Sequence, residues 1–260
     1  MLTDWITQSP YGVRFDWGLV GAGALSSSGS CLVIVDVLSF TTAVTVAVQA
    51  GMRVFPYAWR DETAAAFARR KGAELAGGRR TATGDAPWSQ SPWSLSPAAL
   101  SRAPFTARLV LPSPNGSAIC AAVAASEVTI VAACLRNGKA VGRWLAAHGF
   151  GTPSRPVTVI AAGERWPDGN LRPALEDLLG AGAVIAALRE CGAGLLPSPE
   201  AQAARVCYQG TADVPMAVTN CASGRELADG GFAADVAFAI EMNSCSVVPV
   251  IVDQAFTAAS

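Results

Sequence analysis

Acidic side chains stand where two apolar segments of this sequence end. Asp36 closes the run 31–35, and Glu164 follows the run 157–161 after Ala162 and Gly163. Ligands of open α/β sheets bind at the carboxyl ends of strands, and a buried carboxylate is costly unless it is paired or bound to metal. We therefore expect Asp36 to be catalytic or to bind a metal, and Glu164 to act as a general base or metal ligand. The alternatives are a helix-capping carboxylate at Asp36 and a solvated loop ion pair at Glu164.

A second acidic feature, Glu176-Asp177, lies inside an apolar segment rich in small residues. Adjacent helical positions differ by about 100°, so at most one of the two side chains faces a site directly. Mg²⁺ is usually held by one or two carboxylates together with a substrate phosphate. We therefore predict a Mg²⁺ site formed by Asp36 with one of the pair Glu176 and Asp177, the other carboxylate being left to a supporting or arginine partner. The alternative is a buried salt bridge from this pair to Arg172 or another arginine.

Two predicted loop-to-helix junctions carry small polar residues. Free backbone N–H groups and the helix dipole attract anions at such points, and hydroxyl groups add further donors. The alternatives are ordinary N-capping at the first junction and a plain turn at the second. The predicted substrate-binding residues are Ser39, Thr41 and Thr42 at the first junction and Asn115, Gly116 and Ser117 at the second.

Arg136 and Asn137 follow the apolar run 128–134. The planar guanidinium of an arginine at a strand end is suited to clamping a phosphate or sulfonate, so both residues are predicted substrate contacts. A loop ion pair is the alternative for Arg136. The only histidine, His148, precedes Gly149 at a predicted helix end, and this position disfavours mechanisms that need a catalytic histidine.

The elements that must position these residues alternate along the chain. The runs 31–35, 107–111, 128–132, 157–161 and 247–252 are apolar and, for the most part, do not alternate with polar residues. Strands buried on both faces have this pattern. The predicted helices are 39–50, 62–71, 117–125, 139–148, 172–191 and a segment that begins after Ser198 and ends at 209. We predict one α/β domain over 1–260, possibly with two lobes, with three α/β/α layers and a mostly parallel or mixed sheet.

Local composition adds three expectations about these elements. Pro249 suggests that the last strand lies at a sheet edge or carries a bulge. Gly180 and Gly182 each weaken the helix that contains them by about 1 kcal/mol relative to Ala, so we expect close packing there. The stretches 77–97 and 164–173 are predicted to be irregular.

Composition excludes several classes of protein. The chain has 260 residues, of which 51% are hydrophobic and 15% charged, with a net charge of -1. Disordered chains have a lower hydrophobic fraction and a higher net charge, and nucleic-acid-binding proteins usually have an excess of basic residues. The absence of a signal peptide, of any apolar run near the ~20 residues of a membrane span, and of C-x-x-C pairs predicts a cytoplasmic protein that does not bind membranes. Apolar helices and seven tryptophans suggest a homo-oligomer.

These motifs, taken in order, resemble those of the 2-phosphosulfolactate phosphatases, a family of Mg²⁺-dependent enzymes. The resemblance runs from about Val33 to Val252. It implies hydrolysis of a small phosphate monoester with Mg²⁺ as cofactor. The segments that carry it are Val33-Ile34-Val35-Asp36-Val37-Leu38, Thr41-Thr42, Ser91-Pro92, Asn115-Gly116-Ser117, Asn137, Ala162-Gly163, Glu176 to Ala183 and Asp235-Val236.

The sequence departs from the family pattern at one basic position. Ser39-Phe40 stands where the family usually has Arg-Ala, so an anion-binding side chain is missing at position 39. Arg79, Arg80, Arg136 or Arg165 could supply the lost charge. The expected substrate is a small phosphorylated, possibly sulfonated, acid such as 2-phosphosulfolactate. The alternatives are a non-catalytic relative that binds small anions and a purely structural oligomeric protein.

Overall fold

Nine strands of the described residues form one mixed sheet in the computed structural model, which describes residues 3–59, 61–78, 91–123, 127–192 and 195–259. The strand order is β1-β7-β2-β6-β10-β11-β3-β5-β4, and β8 and β9 form a separate hairpin. The strands are β1 Val13–Trp17, β2 Cys31–Val35, β3 Arg53–Tyr57, β4 Glu74–Leu75, β5 Arg108–Pro112, β6 Thr129–Ala133, β7 Val157–Ala161, β8 Glu164–Arg165, β9 Leu171–Arg172, β10 Pro249–Val252 and β11 Ala255–Ala258.

Helices connect most of these strands. Among the described residues, no helix is both long enough and apolar enough to span a bilayer. The helices are α1 Gly18–Leu25, α2 Phe40–Gln49, α3 Glu62–Lys71, α4 Pro97–Leu100, α5 Gly116–Val123, α6 Gly138–Ala147, α7 Leu175–Cys191, α8 Pro199–Gly210, α9 Val214–Asn220, α10 Ala222–Leu227 and α11 Ala233–Ala239, with a π-helical turn over Ala228–Phe232.

The central strand β2 is buried on both faces. Cys31, Val33 and Val35 pack into one hydrophobic cluster with residues of α6, α7 and α8. Leu32 and Ile34 pack into a second cluster with residues of α2 and α5. Successive side chains of a strand point to opposite faces, so the two clusters lie on the two sides of the sheet. The predicted three-layer α/β/α class with a mixed sheet is confirmed.

The sheet contains two groups of parallel strands joined by the hairpin β10–β11. The strands β1, β7, β2 and β6 are parallel to one another, as are β3, β5 and β4. β10 joins β6 through one antiparallel residue pair, and β11 joins β3 through another. The sequence suggested that the strand containing Pro249 lies at a sheet edge, but this strand is internal. Pro249 is its first residue, a position that proline tolerates.

The sheet cannot be flat across this junction. Three antiparallel pairings reverse the strand direction between the two groups, and β5 stands five positions from β2. In a flat sheet that separation would exceed about 20 Å. Yet the amide of Gly116, which follows β5, lies 3.0 Å from the carboxylate of Asp36, which follows β2. The sheet therefore folds so that the loops after β2 and β5 meet.

Helix α7 begins later than its sequence predicted and packs closely on the sheet. Residue 172 belongs to β9, and the helix starts at Leu175, after Pro173. A Cβ atom added at Gly180 would lie 2.7 Å from Val35, and one at Gly182 would lie 2.3 Å from the carbonyl oxygen of Ala204. The expectation of close packing at both glycines is confirmed.

The two stretches predicted to be irregular differ in outcome. The stretch 164–173 contains the short hairpin β8–β9. In the stretch 77–97, residues 79–90 lie outside the described residues, and with them Arg79, Arg80 and Trp88; residues 124–125 of the predicted helix 117–125 do so too. Ser91 of the same stretch is ordered by hydrogen bonds from its hydroxyl to the carbonyl oxygens of Leu75 and Trp93.

Candidate active site

Asp36 lies directly after β2 and is buried, with 5% of its surface exposed. Its Oδ1 accepts a hydrogen bond of 3.0 Å from the amide of Phe40, the first residue of α2. Its Oδ2 accepts one of 3.0 Å from the amide of Gly116, the first residue of α5. Two helix N-termini therefore hold this carboxylate, an arrangement in which backbone N–H groups and helix dipoles favour negative charge.

Gly116 is required where these helices meet. A Cβ atom at this position would lie 2.2 Å from the ring of Phe40 and 2.9 Å from Oδ2 of Asp36. No side chain fits without displacing one of them. The glycine at this junction thus allows a backbone amide to reach the Asp36 carboxylate.

Asp177 ties α7 to the same edge of the sheet. Its Oδ1 accepts a hydrogen bond of 2.7 Å from the amide of Val37, and its Oδ2 accepts one of 2.8 Å from the amide of Gly163. Burial, followed by the neighbouring charges of Glu176 and Asp36, raises the pKa of Asp177 well above its ordinary value. Asp177 of α7 therefore contacts the backbone of Val37, the residue that follows Asp36.

Glu176 points to a different neighbour, as the angle between adjacent helical positions requires. The thiol of Cys221 donates to Oε2 of Glu176 over 3.2 Å. Burial, with the charge of Glu176 second, raises the pKa of this thiol to about 12, so it stays protonated. Arg172 pairs instead with Glu226 at 3.6 Å, and within the described part of the chain no ion pair joins an arginine to Glu176 or Asp177.

Glu164 is half-buried on β8 and is held by Asn115. The amide nitrogen Nδ2 of Asn115 donates to Oε2 of Glu164 over 2.9 Å. Burial and the charge of Asp36 raise the pKa of Glu164 to about 7, against the lowering effect of the Asn115 hydrogen bond. A carboxyl group with this pKa can take up and release a proton near neutral pH, which is the requirement for a general base.

Two cavities meet at Glu164. The first, which we call the polar cavity, has a volume of about 430 Å³ and is lined by Leu38, Glu164, Arg165, Arg172, Ser223 and Glu226, among others. The second, which we call the apolar cavity, has a volume of about 240 Å³ and is lined by Trp17, Leu19, Val20, Asn115, Ile119 and Leu171, together with Glu164 and Arg165. Leu38 places the polar cavity two residues from Asp36.

The donor set at this edge of the sheet suits a hard divalent cation. Asp36, Glu164, Glu176 and Asp177 are oxygen donors close enough to influence one another's charge. Over the ranges that the structure describes, no group of three or more His, Cys, Asp or Glu side chains is arranged as a metal site. Mg²⁺ needs only one or two carboxylates besides water and substrate, and each carboxylate oxygen can accept a second partner. The residues present therefore fit such an ion.

The predicted hydroxyl ligands stabilise the loops of the site. The hydroxyl of Thr41 bonds both the amide and the carbonyl of Asp36, and that of Thr42 donates to the carbonyl oxygen of Val37. Ser117 donates to the carbonyl oxygen of Leu111. All three side chains are fully buried and line neither cavity. The structure thus gives them a positioning role in place of the predicted contact with phosphate.

Ser39 is buried at the start of α2. Its side chain does not cap the helix, so the capping alternative is not observed. The first amide of the helix, that of Phe40, instead donates a hydrogen bond to the carboxylate of Asp36.

Arg136 and Asn137 also have structural partners. The guanidinium of Arg136 lies 3.9 Å from the ring centroid of Phe238, donates to the carbonyl oxygen of that residue and pairs with Glu241. Asn137 bonds the amide of Cys134 and the carbonyl oxygens of Ala132 and Val247. Neither residue lines the polar or the apolar cavity. The predicted phosphate clamp at Arg136 is replaced by an internal ion pair of the loop after β6.

Sequence reasoning missed several residues of the site. Ser223 lies in α10 and Cys221 just before it, 45 residues after Glu176, and no motif marks them. Arg172 entered only as a partner for the acidic pair, whereas it lines the polar cavity. Only the fold brings α10 and the β8–β9 hairpin to the same cavity.

Comparison with known proteins adds one match. The family model described as 2-phosphosulpholactate phosphatase matches residues 22–254. This range contains Asp36, Asn115, Gly116, Glu164, Glu176 and Asp177 and the lining of the polar cavity, whereas Trp17, Leu19 and Val20 of the apolar cavity precede it. No curated protein matches the chain significantly.

Proposed function

This chain belongs to the 2-phosphosulpholactate phosphatase family, and from this premise we propose that it is a Mg²⁺-dependent hydrolase of a small phosphorylated acid, with 2-phosphosulfolactate as the leading substrate. The family is one of phosphatases. The observation that carries the proposal is the Asp36 carboxylate, held between two helix N-termini beside the α7 carboxylates. Such a position joins a metal-binding group to backbone dipoles that favour phosphate.

The reacting phosphoryl group would lie between Asp36 and Glu164, at the mouth of the polar cavity. Leu38 and Glu164 both line this cavity, and the charges of Asp36 and Glu164 influence each other. Asn115 fixes Oε2 of Glu164 and thereby orients the carboxyl group. Attack on phosphorus depends chiefly on such positioning.

Glu164 would accept the proton of the attacking water. The water oxygen forms a bond to phosphorus, the ester P–O bond breaks, and the leaving alkoxide takes a proton from solvent. The pKa of about 7 on Glu164 leaves a large share of the group ionised at neutral pH. Whether Asp36 instead attacks phosphorus itself is the remaining mechanistic alternative.

Asp36 with Glu176 or Asp177 would hold the Mg²⁺. The bound ion would neutralise phosphate charge and lower the pKa of a coordinated water. Val37 and Gly163, which bind Asp177 through their amides, keep its carboxylate at the edge of the sheet. The thiol of Cys221 donates to Oε2 of Glu176 and thereby orients that carboxylate.

Phosphate release from a panel of small phosphate monoesters tests the function. We expect turnover of 2-phosphosulfolactate in the presence of Mg²⁺, and none after addition of EDTA. The absence of turnover for every ester with the metal present would overturn the proposal. Calorimetric binding of an ester without phosphate release would favour the rival proposal, a non-catalytic relative that binds small anions.

We also propose that the protein forms a homo-oligomer through the rim of the apolar cavity. Val20 is 84% exposed and Leu19 43% exposed there, beside Leu171, and contiguous exposed apolar side chains favour association. Sedimentation of wild type and Val20→Ser would detect this: an oligomer that the substitution weakens supports it, and a wild-type monomer contradicts it. The cytoplasmic location stays a prediction.

A further inference from the structure

The polar cavity contains a buried hydroxyl group with no partner. Ser223 of α10 is 5% exposed, and its Oγ has no hydrogen-bond partner among the described residues. Buried polar groups are nearly always hydrogen-bonded, so an exception calls for an explanation such as a missing ligand. Ser223 lines the polar cavity, which makes the contents of this cavity the natural partner.

Two cations line the same cavity. Arg172 of β9 and Arg165 of β8 both contribute to its wall, and they come from the hairpin that carries Glu164. The guanidinium of Arg172 lies 5.7 Å from the ring centroid of Trp166. Its planar fork matches the geometry of a carboxylate or sulfonate.

The acids of the cavity do not cancel this positive charge. Glu226 lies 3.6 Å from Arg172, but its side chain is 77% exposed. The Arg172 side chain is only 16% exposed, so the solvent-exposed partner of this pair is Glu226, whose charge water screens. A ligand anion can therefore replace Glu226 on Arg172 while Glu226 turns to solvent. Glu164 lines the cavity and is close enough to Asp36 for their charges to interact, so the reacting phosphoryl group is expected beside it.

We propose that the polar cavity binds the second anionic group of the substrate, a carboxylate or sulfonate, through Arg172 and Ser223, with Arg165 at the rim. This assignment rests on the proposed phosphatase function for the position of the phosphoryl group. The specificity for a phosphorylated acid over a simple phosphate ester then comes from the β8–β9 hairpin and α10. The site needs no basic side chain at position 39.

A matched pair of esters tests this assignment. 2-Phospholactate carries the second anion, and isopropyl phosphate has a methyl group in its place. We expect wild type to prefer 2-phospholactate, and we expect Arg172→Gln to lower this preference, measured as the ratio of kcat/KM values, about 10- to 100-fold. Ser223→Ala should lower it about 3- to 10-fold without a loss of thermal stability, because the substitution removes an unpaired buried group.

Two further variants serve as controls: one should raise the preference for 2-phospholactate, and the other should leave it unchanged. Glu226→Gln should raise the preference for 2-phospholactate about 2- to 5-fold, because it removes the acid that competes for Arg172. Arg143→Gln, on the exposed face of α6, should leave the preference unchanged. Equal ratios in wild type, Arg172→Gln and Ser223→Ala would overturn the assignment.

Binding separates this proposal from the phosphatase function. If neither ester is hydrolysed, the phosphatase proposal fails. Calorimetry with the same two esters then tests independently whether the polar cavity binds the second anionic group. Tighter binding of 2-phospholactate by wild type, with the difference lost in Arg172→Gln, supports the cavity assignment. Equal binding of the two esters by wild type contradicts it.

Discussion

At the scale of single residues, the carboxylates of the site differ in what holds them. Backbone amides occupy both oxygens of Asp36 and both oxygens of Asp177. A side-chain amide holds Glu164, and a thiol holds Glu176. Amide donors favour the ionised form of a carboxylate, whereas burial beside other acids favours the neutral form. For Glu164, burial and the charge of Asp36 raise the pKa to about 7.

The pH dependence of turnover should reveal Glu164. Activity is expected to rise with pH through about 7, the pKa of this carboxyl group, because the base must be ionised to accept a proton. Glu164→Gln should lower kcat about 10²- to 10⁴-fold and abolish this limb of the profile. Initial rates from pH 5 to 9 check both effects. A variant that keeps the limb would assign it to another group.

Stability should change with pH in the opposite sense. Folding raises the pKa of Glu164 from 4.5 to about 7, so the folded chain holds this proton more tightly than the unfolded chain. The contribution of this group to stability is therefore full below about 4.5 and is lost as pH rises through about 7. Urea unfolding midpoints measured across this window should fall less steeply in Glu164→Gln than in wild type. Parallel curves would contradict the assignment.

Substitution of Gly116 should damage both fold and site. The Cβ of Gly116→Ala would lie 2.2 Å from Phe40 and 2.9 Å from Asp36, so we expect a loss of about 1–3 kcal/mol in the free energy of unfolding and a lower kcat. Gly23→Ala in α1 is the control. Nothing lies within 4 Å of that Cβ, and a gain of about 0.5–1 kcal/mol is expected. Equal stability of the two variants would show that the junction tolerates a side chain.

At the scale of elements, the contact of α7 with β2 sets the position of the acidic pair. Gly180 lets the helix approach, because a Cβ there would lie 2.7 Å from Val35 and 2.8 Å from Val37. We expect Gly180→Ala to lower the free energy of unfolding by about 1–3 kcal/mol and to reduce activity, since Glu176 and Asp177 lie one turn earlier.

A double-mutant cycle with Val35→Ala isolates this contact. The smaller side chain makes room for the new methyl group, so the two substitutions together should cost about 0.5–3 kcal/mol less than their sum. Denaturant unfolding of the four proteins measures the coupling. Additive effects, or a Gly180→Ala variant more stable than wild type, would mean that the close approach of α7 does not position the pair.

The elements themselves were largely predictable from local pattern. The runs that became β2, β6 and β7 are apolar because both of their faces are buried, and this is a property of the sequence itself. The predicted start of α7 at residue 172 was wrong because Arg172 pairs with Glu164 in the β8–β9 hairpin. This contact joins two short segments and leaves no periodic pattern in the sequence. The edge position predicted from Pro249 was wrong for a related reason. The order of strands in a sheet depends on tertiary contacts that a local sequence pattern does not contain.

At the scale of the whole molecule, the folded sheet brings the site together. The loops after β2 and β5 meet across strands that run in opposite directions. The sequence indicated both loops and the acidic pair of α7 separately. It could not indicate that the hydroxyls of Thr41, Thr42 and Ser117 would be used within their own loops, because free and internally bonded hydroxyls look alike in a sequence. Nor could it place Ser223 beside Arg172, since only the packed structure joins α10 to the hairpin.

The central claim is that Asp36 and the α7 carboxylates hold Mg²⁺ at a phosphate-cleaving site. Phosphate release from 2-phosphosulfolactate by wild type and Asp36→Asn, each with Mg²⁺ and with EDTA, tests it most directly, with circular dichroism to verify folding. The account predicts wild-type turnover only with Mg²⁺, and a loss of about 10³-fold or more in the folded variant. Undiminished wild-type turnover in EDTA, or a folded Asp36→Asn with the wild-type rate, would contradict it.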